Sequence, residues 1–250
     1  MMSQPTMTHF GFSEVPFAEK VVKVRQVFDS VAGNYDLMND LMSLGIHRLW
    51  KQFAIRRLRI RPEQHFLDVA GGTGDLARLI HAELAGTGQV VIYDINANML
   101  ERGRQRLVDE GRIHGLHWTQ GNAEELPFAD NSFHGVTIGF GIRNVTQIES
   151  AFREMVRVLR PGGVLMCLEF SRVAIPFLQP VYDAYSFNVL PELGHWVAKD
   201  REAYQYLAES IRRFPPQEEL VRLLTECGLY GVRYHNLSAG IAAVHVGRKV

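Results

Sequence analysis

Two hydrophobic periods alternate along the chain from His65 onward. Short apolar runs at 65–70, 89–94, 115–120, 133–140 and 164–170 have the length and composition of strands. Between them, residues 75–85, 97–110 and 147–160 carry apolar side chains three and four apart, the spacing of a helix with one buried face. Gly86-Thr87-Gly88 turns the chain out of the first of these helices, and Pro161-Gly162-Gly163 stops the last. This strand-helix order predicts a parallel sheet with right-handed crossovers.

The flanks read differently. Residues 1–20 are polar with scattered Pro and Gly, and are expected to be loosely ordered. From Val21 to Arg59 the pattern is helical, punctuated by Gly33 and Gly45. Residues 171–213 are rich in aromatics and Pro, as in an insertion of mixed helices that roofs a pocket. Helix 216–226 ends at Gly228, and the runs 229–236 and 241–248, joined by Ser238-Ala239-Gly240, form a hairpin signal. The expected architecture is α/β: a doubly wound, mostly parallel sheet with an antiparallel C-terminal strand, plus N-terminal helices. One domain is expected over 1–250, divided into a helical extension (1–62), an alternating core (63–170), a covering insertion (171–213) and a final helix with its β-hairpin (214–250).

Composition narrows the picture. With 250 residues, 46% of them hydrophobic, the chain can bury one sizeable core. Lys+Arg 27 balances Asp+Glu 27, so no global field favours nucleic acid. Cys167 and Cys227 make neither a disulfide framework nor a zinc ligand set, which suits a reducing cytoplasm, and no metal is expected. Met1 to Glu14 has no secretory pattern, and no apolar run reaches the roughly 18–20 residues of a membrane span.

The candidate chemistry lies where the first core strand ends. His65-Phe66-Leu67-Asp68-Val69-Ala70 runs into Gly71, Gly72 and Gly74, and a helical pattern follows. Glycines there let a backbone approach a ligand that a Cβ would block. The next strand ends in Asp94, where a carboxylate can accept hydrogen bonds from the hydroxyls of a ribose. Gly72-x-Gly74-x-x-Ala77 matches a dinucleotide fingerprint, which would imply NAD or FAD. However, Asp68 and Asp75 flank the turn and would repel a pyrophosphate, and the hairpin ending departs from an all-parallel dinucleotide sheet. A sulfonium amino acid, S-adenosylmethionine, fits those carboxylates better.

Leu67 to Asp75 resembles motif I of class I S-adenosylmethionine-dependent methyltransferases, whose fold is Rossmann-like. Asn122 to Phe128 and Leu159 to Gly163 resemble later motifs of the same fold. More narrowly, the chain resembles the ubiquinone/menaquinone biosynthesis C-methyltransferase family. The likeness runs through Val31-Ala32 to Tyr35-Asp36-x-Met38-Asn39-Asp40, Gly45 to Lys51, Phe140 to Val145, Tyr182 to Ser186 and Tyr206 to Ile211. It covers nearly the whole chain, from about His9, and one departure is Gly139, where the family pattern has Ser. If that Ser contacts the cofactor, this chain must use backbone or water instead.

The resemblance implies methyl transfer from S-adenosylmethionine to a ring carbon of a polyprenyl benzoquinol or naphthoquinol. Carbon attacks only from an electron-rich ring, so the reduced quinol is required and a phenolic proton must be removed or polarised. By motif position, Gly72, Thr73 and Gly74 line the methionine and ribose, Asp94 takes the ribose hydroxyls, and Asn122 and Ala123 meet the adenine edge, with Gly139 nearby. Asp68 either meets the donor's ammonium or caps a helix. Arg143, which keeps its proton, either stabilises a phenolate and orients a water or pairs with a carboxylate. Tyr35 either hydrogen-bonds the quinol oxygen or packs in the core. Asn144 orients the ring or caps a turn, while His47 and Tyr182 are substrate-side candidates whose alternative is a structural role.

Residues 47–61 carry six basic side chains, Arg48 to Arg61, interleaved with Leu49, Trp50, Phe53, Ile55 and Leu58. A basic amphipathic helix can lie on an anionic bilayer. The expected setting is the cytoplasm, with peripheral contact at the inner face of the membrane; a homo-oligomer or biosynthetic complex is compatible with the sequence. Three alternatives stay open: a methyltransferase for another small aromatic or lipid, an NAD-dependent oxidoreductase, and an inactive scaffold.

Overall fold

The computed structural model describes residues 6–31, 40, 43, 45–189, 191–192 and 200–250. A seven-stranded sheet is built from β3 (His65–Val69), β4 (Gln89–Asp94), β5 (Leu116–Gln120), β6 (Phe133–Gly139), β7 (Leu159–Phe170), β8 (Leu229–Leu237) and β9 (Ala242–Lys249). Their spatial order is β5-β4-β3-β6-β7-β9-β8. All neighbours are parallel until β9, which runs antiparallel to both β7 and β8. The chain moves outward from β3 on one side and returns to pair β6 on the other. That reversal opens a crevice at the carboxyl ends of β3 and β6, where such sheets bind ligands.

Period-two alternation sorts side chains between two cores. On β7, Val164, Met166, Leu168 and Phe170 face one cluster and Leu165 and Cys167 the other. Helices α2 (His47–Leu58), α3 (Asp75–Glu83), α4 (Ala97–Asp109) and α7 (Arg201–Arg213) cover the first face. Helices α5 (Ile148–Val158) and α8 (Gln217–Glu226) cover the second. The insertion holds α6 (Gln179–Ala184) and a π turn, Tyr185–Val189, before α7.

Two expectations need correction, and the basic helix needs a closer description. Residues 7–16 are ordered: β1 (Met7–Phe10) and β2 (Ser13–Pro16) form an antiparallel hairpin leading into α1 (Phe17–Val31). Tertiary contacts fix it, as Phe10 stacks on Tyr206 at 4.1 Å and the Phe12 N–H donates to Glu209 at 3.0 Å. Pro161-Gly162-Gly163 lies inside β7 rather than before it. Leu159 already pairs with Phe133, and the Pro-Gly-Gly segment fills an irregularity before Val164 pairs with Gly135. Finally, the apolar stripe of the basic helix faces the sheet. Trp50, Ala54, Ile55 and Leu58 are buried, leaving Leu49 exposed beside Arg48, Arg56 and Arg57. Among the described residues, no helix is long and apolar enough to cross a membrane.

Trp50 anchors α2, with its indole N–H donating to Ser238 at 3.0 Å and its ring edge-on to Phe170. Trp50→Ala is expected to lower unfolding free energy by roughly 3–5 kcal/mol, as for other buried aromatics. Leu49→Ser on the outer face should change it by less than about 0.5 kcal/mol. Urea unfolding of both variants checks the contrast.

Candidate active site

The glycines of the turn after β3 have no side chains to fix it, and within it the Gly74 N–H donates to the Gly71 carbonyl at 2.8 Å. Gly72 and Gly74 take left-handed φ values of 52° and 81°. Gly74 caps α3 without a side-chain hydrogen bond. Buried carboxylates supply the missing contacts. Asp68, 1% exposed, accepts from the Ala77 N–H at 3.2 Å and from the Thr137 hydroxyl at 2.7 Å. It therefore does make the helix-capping contact, from the strand that leads into the helix. Burial pushes its carboxyl up to about 7, against those two hydrogen bonds.

Asp94 holds the turn from β4. One oxygen accepts from the Gly72 N–H and the other from the Asn96 N–H, each at 2.8 Å. Burial raises it to about 6 despite these backbone donors. Asp75 completes the set, with Lys51 on one oxygen and Arg106 on the other, both at 2.6 Å. Burial would raise Asp75, but the two cations outweigh it and hold the carboxyl well below the usual range.

Two cavities meet at this turn. The larger, about 790 Å³ counting solvent at its mouth, is walled by Gly72, Asp94, Asn96, Asn122, Ala123 and Asn144. Helix α1 roofs it with Val21, Val24, Arg25 and Phe28. This roof is fastened by Lys20 donating to the Val145 carbonyl (2.9 Å) and by Asp29 accepting from the Asn96 and Asn98 amides (2.9 Å each). The smaller cavity, about 310 Å³ on the same measure, is lined by Lys51, Asp68, Thr73, Asp75 and Gly139 among others. Ala70 and Phe140 border both. These two non-glycine residues have left-handed φ values of 50° and 56°, just past the ends of β3 and β6.

Asp68, Gly72, Thr73, Asp94, Asn122, Ala123 and Gly139 thus all border the two cavities. Gly74 does not: a Cβ there would lie 3.0 Å from the Trp118 ring, so its role is the turn. At Gly139 a Cβ would lie 2.6 Å from a Leu76 methyl, which occupies the room a Ser would need.

The substrate-side candidates are dispersed. Arg143 is buried and borders neither cavity; its guanidinium donates to Glu169 and to the Phe140 carbonyl, both at 2.6 Å. The ion-pair reading of Arg143 is the one its contacts fit, and burial raises Glu169 despite the arginine. Next to it, Asn144 does reach the cleft. Its carbonyl oxygen accepts from the Tyr206 hydroxyl at 2.9 Å, and its buried amide nitrogen has no partner among the described residues. His47 is 3% exposed, bonded to Asp40 at 2.9 Å, and lowered by burial and by Lys51. Tyr182 sits under the Arg212 guanidinium, away from both cavities. Tyr35 lies outside the described residues. The sequence reading missed Lys51, Arg106 and the α1 roof. Among the described residues, no group of three His, Cys, Asp or Glu is placed to hold a metal ion.

Residues 17–249 match the ubiE/COQ5 methyltransferase family. The chain is 55% identical over 249 residues to the ubiquinone/menaquinone biosynthesis C-methyltransferase UbiE of Legionella pneumophila (strain Corby), covering 100% of both. It is 54% identical over 242 residues to the UbiE of Coxiella burnetii (strain RSA 331 / Henzerling II), covering 97% of both. Among solved structures, a SAM-dependent methyltransferase from Thermotoga maritima, described as a possible histamine N-methyltransferase, superposes with a TM-score of 0.65 at 20% identity. That match covers 91% of this chain and 100% of the other. The [4+2]-cyclase SpnF superposes with a TM-score of 0.67 at 15% identity, over 90% and 94% of the two chains. These likenesses give the Rossmann-like methyltransferase fold, and the cyclase is a reminder that the fold alone does not fix the reaction.

Asp68 and Asp94 both titrate above the roughly 3.9 of an unfolded chain. Each therefore contributes stability that is complete below about pH 4 and is lost as pH rises through its folded value, about 7 and about 6. Asp68→Asn cannot ionise, and its amide cannot accept from both Thr137 and Ala77. At pH 5 the variant should be clearly less stable than the parent, and by pH 8 the gap should narrow. Thermal unfolding of ligand-free protein at both pH values tests this; a gap independent of pH would refute the raised carboxyl.

Proposed function

The chain belongs to the ubiE/COQ5 methyltransferase family, and from that membership we propose that it methylates a ring carbon of a polyprenyl benzoquinol, a demethylmenaquinol, or both, with S-adenosylmethionine as donor. The oxidoreductase and scaffold alternatives are withdrawn on the same ground. The observation that carries the reading is Asp94, tied to the glycine turn and bordering the roofed cleft.

The cleft suits the donor's nucleoside. Gly72 presents no Cβ, and one added there would lie 3.4 Å from Met99 and 3.8 Å from the Asp94 carboxylate. The oxygens of Asp94 retain lone pairs for two ribose hydroxyls. Asn122 and Ala123 line the same cleft and are assigned the adenine edge. When bound, the donor supplies an electrophilic methyl group on a sulfonium.

The rest is alignment and exclusion of water, which together are worth up to roughly 7–11 kcal/mol when positioning is ideal. The apolar residues of α1 cover the cleft. The unpartnered amide nitrogen of Asn144 is the donor best placed to meet a quinol oxygen. Arg143 is held by Glu169 and fixes the short helical turn Ile142–Asn144 that carries Asn144. Arg143 is thus a positioning residue for Asn144. The acceptor's tail favours a bilayer inner face as the working place, with the exposed Arg48, Arg56 and Arg57 toward anionic lipid.

Two outcomes are expected. Labelled methyl donor with chemically reduced demethylated quinols of both ring types should give a carbon-methylated product, while the oxidised rings give none; product mass checks this. Asp94→Ala should weaken S-adenosylhomocysteine binding at least about 100-fold by calorimetry, since charged hydrogen bonds to both hydroxyls are lost. Binding as tight as the parent's would remove the ribose assignment.

A further inference from the structure

The smaller cavity is bordered by a buried cation whose bracing of Asp75 uses only part of its donor capacity. Lys51 is 7% exposed and borders the space between the glycine turn and Gly139. Its ammonium donates to Asp75 at 2.6 Å. Among the described residues that is one hydrogen bond for a group that can donate three. Asp75 does not depend on Lys51 alone, because Arg106 holds its other oxygen. A buried ammonium is costly to keep unless something matches it.

The opposite wall shows what is missing. Gly139 lines the same cavity and brings no polar side chain, and a Cβ there would lie 2.6 Å from a Leu76 methyl. The polar groups that remain around the cavity are Lys51, Thr73, Asp68 and Asp75. Together they offer one cation that can take a carboxylate and one carboxyl, Asp68, whose oxygens each accept a single described hydrogen bond and retain lone pairs for an ammonium. Ala70 and Phe140 border this cavity and the nucleoside cleft alike, so one elongated ligand can occupy both.

We propose that Lys51 binds the carboxylate of the donor's amino-acid end. The proposal rests on the methyl-donor reading above. It gives α2 a part in the cofactor site although it precedes the Rossmann-like core in sequence. Lys51 reaches across to α3, and the one ammonium serves both the turn and the ligand.

The test needs binding, not turnover. Calorimetry would compare S-adenosylmethionine, its decarboxylated form and 5′-methylthioadenosine, which lacks the whole amino-acid end. The parent should prefer S-adenosylmethionine over the decarboxylated form. Lys51→Met should weaken S-adenosylmethionine roughly 10- to 100-fold, the worth of a charge-assisted hydrogen bond, and leave the other two ligands within about twofold. Lys51→Arg should restore the preference. A Lys51→Met protein that keeps the parent's preference would overturn the proposal. So would one that loses all three ligands equally, since Lys51 would then act only as a brace. If the parent binds none of the three, the methyl-donor reading itself fails and the proposal falls with it.

Discussion

The site depends on a turn that is held from outside. A Gly-rich loop that must bring its backbone close to a ligand has given up the side chains that would fix it. Here three carboxylates do that work from three elements. Asp68 reaches from β3 to the first turn of α3, Asp94 reaches from β4 to Gly72, and Asp75 is clamped by Lys51 and Arg106. Two of the three are pushed toward neutrality by burial, while the third is kept charged by its two cations. The same carboxylates form much of the polar surface a cationic, hydroxyl-bearing ligand would meet, so holding the loop and recognising the ligand are one arrangement.

Much of this was legible in the sequence because it is local. Strand, glycine turn and helix follow one another within a dozen residues, and Asp94 announces itself by ending a strand. The C-terminal hairpin was marked by Ser238-Ala239-Gly240, which does turn β8 into β9. What escaped were pairings set by distant packing. Nothing near Lys51 says that it meets Asp75, and nothing in residues 17–31 says that they cover a cleft. The hairpin at 7–16 depends on Tyr206 and Glu209, nearly 200 positions away. The basic helix was open to two readings for a related reason: an apolar stripe at helical spacing reads the same whether it meets a bilayer or a sheet, and here the stripe meets the sheet.

The two halves of the site are built to different standards. The nucleoside side is assembled from strand ends and backbone donors, which leave little freedom. The proposed acceptor side rests on the short helical turn that carries Asn144, braced by the Arg143–Glu169 ion pair and by the Tyr206 hydroxyl donating to Asn144. Arg143 sits where the motif placed it, yet its charge is committed inward, and Asn144 is the neighbour that reaches the cleft. Adjacent positions in one motif can therefore divide the labour, one bracing and one presenting.

Ala70 and Phe140 hold left-handed backbones side by side at the point where two strands part. Each such residue costs on the order of 1 kcal/mol or more in a chain of L-amino acids. The register of β3 against its neighbours absorbs that penalty and keeps the crevice from healing shut. Part of this molecule's backbone strain therefore sits at its candidate site, where selection for thermal resilience alone would erode it.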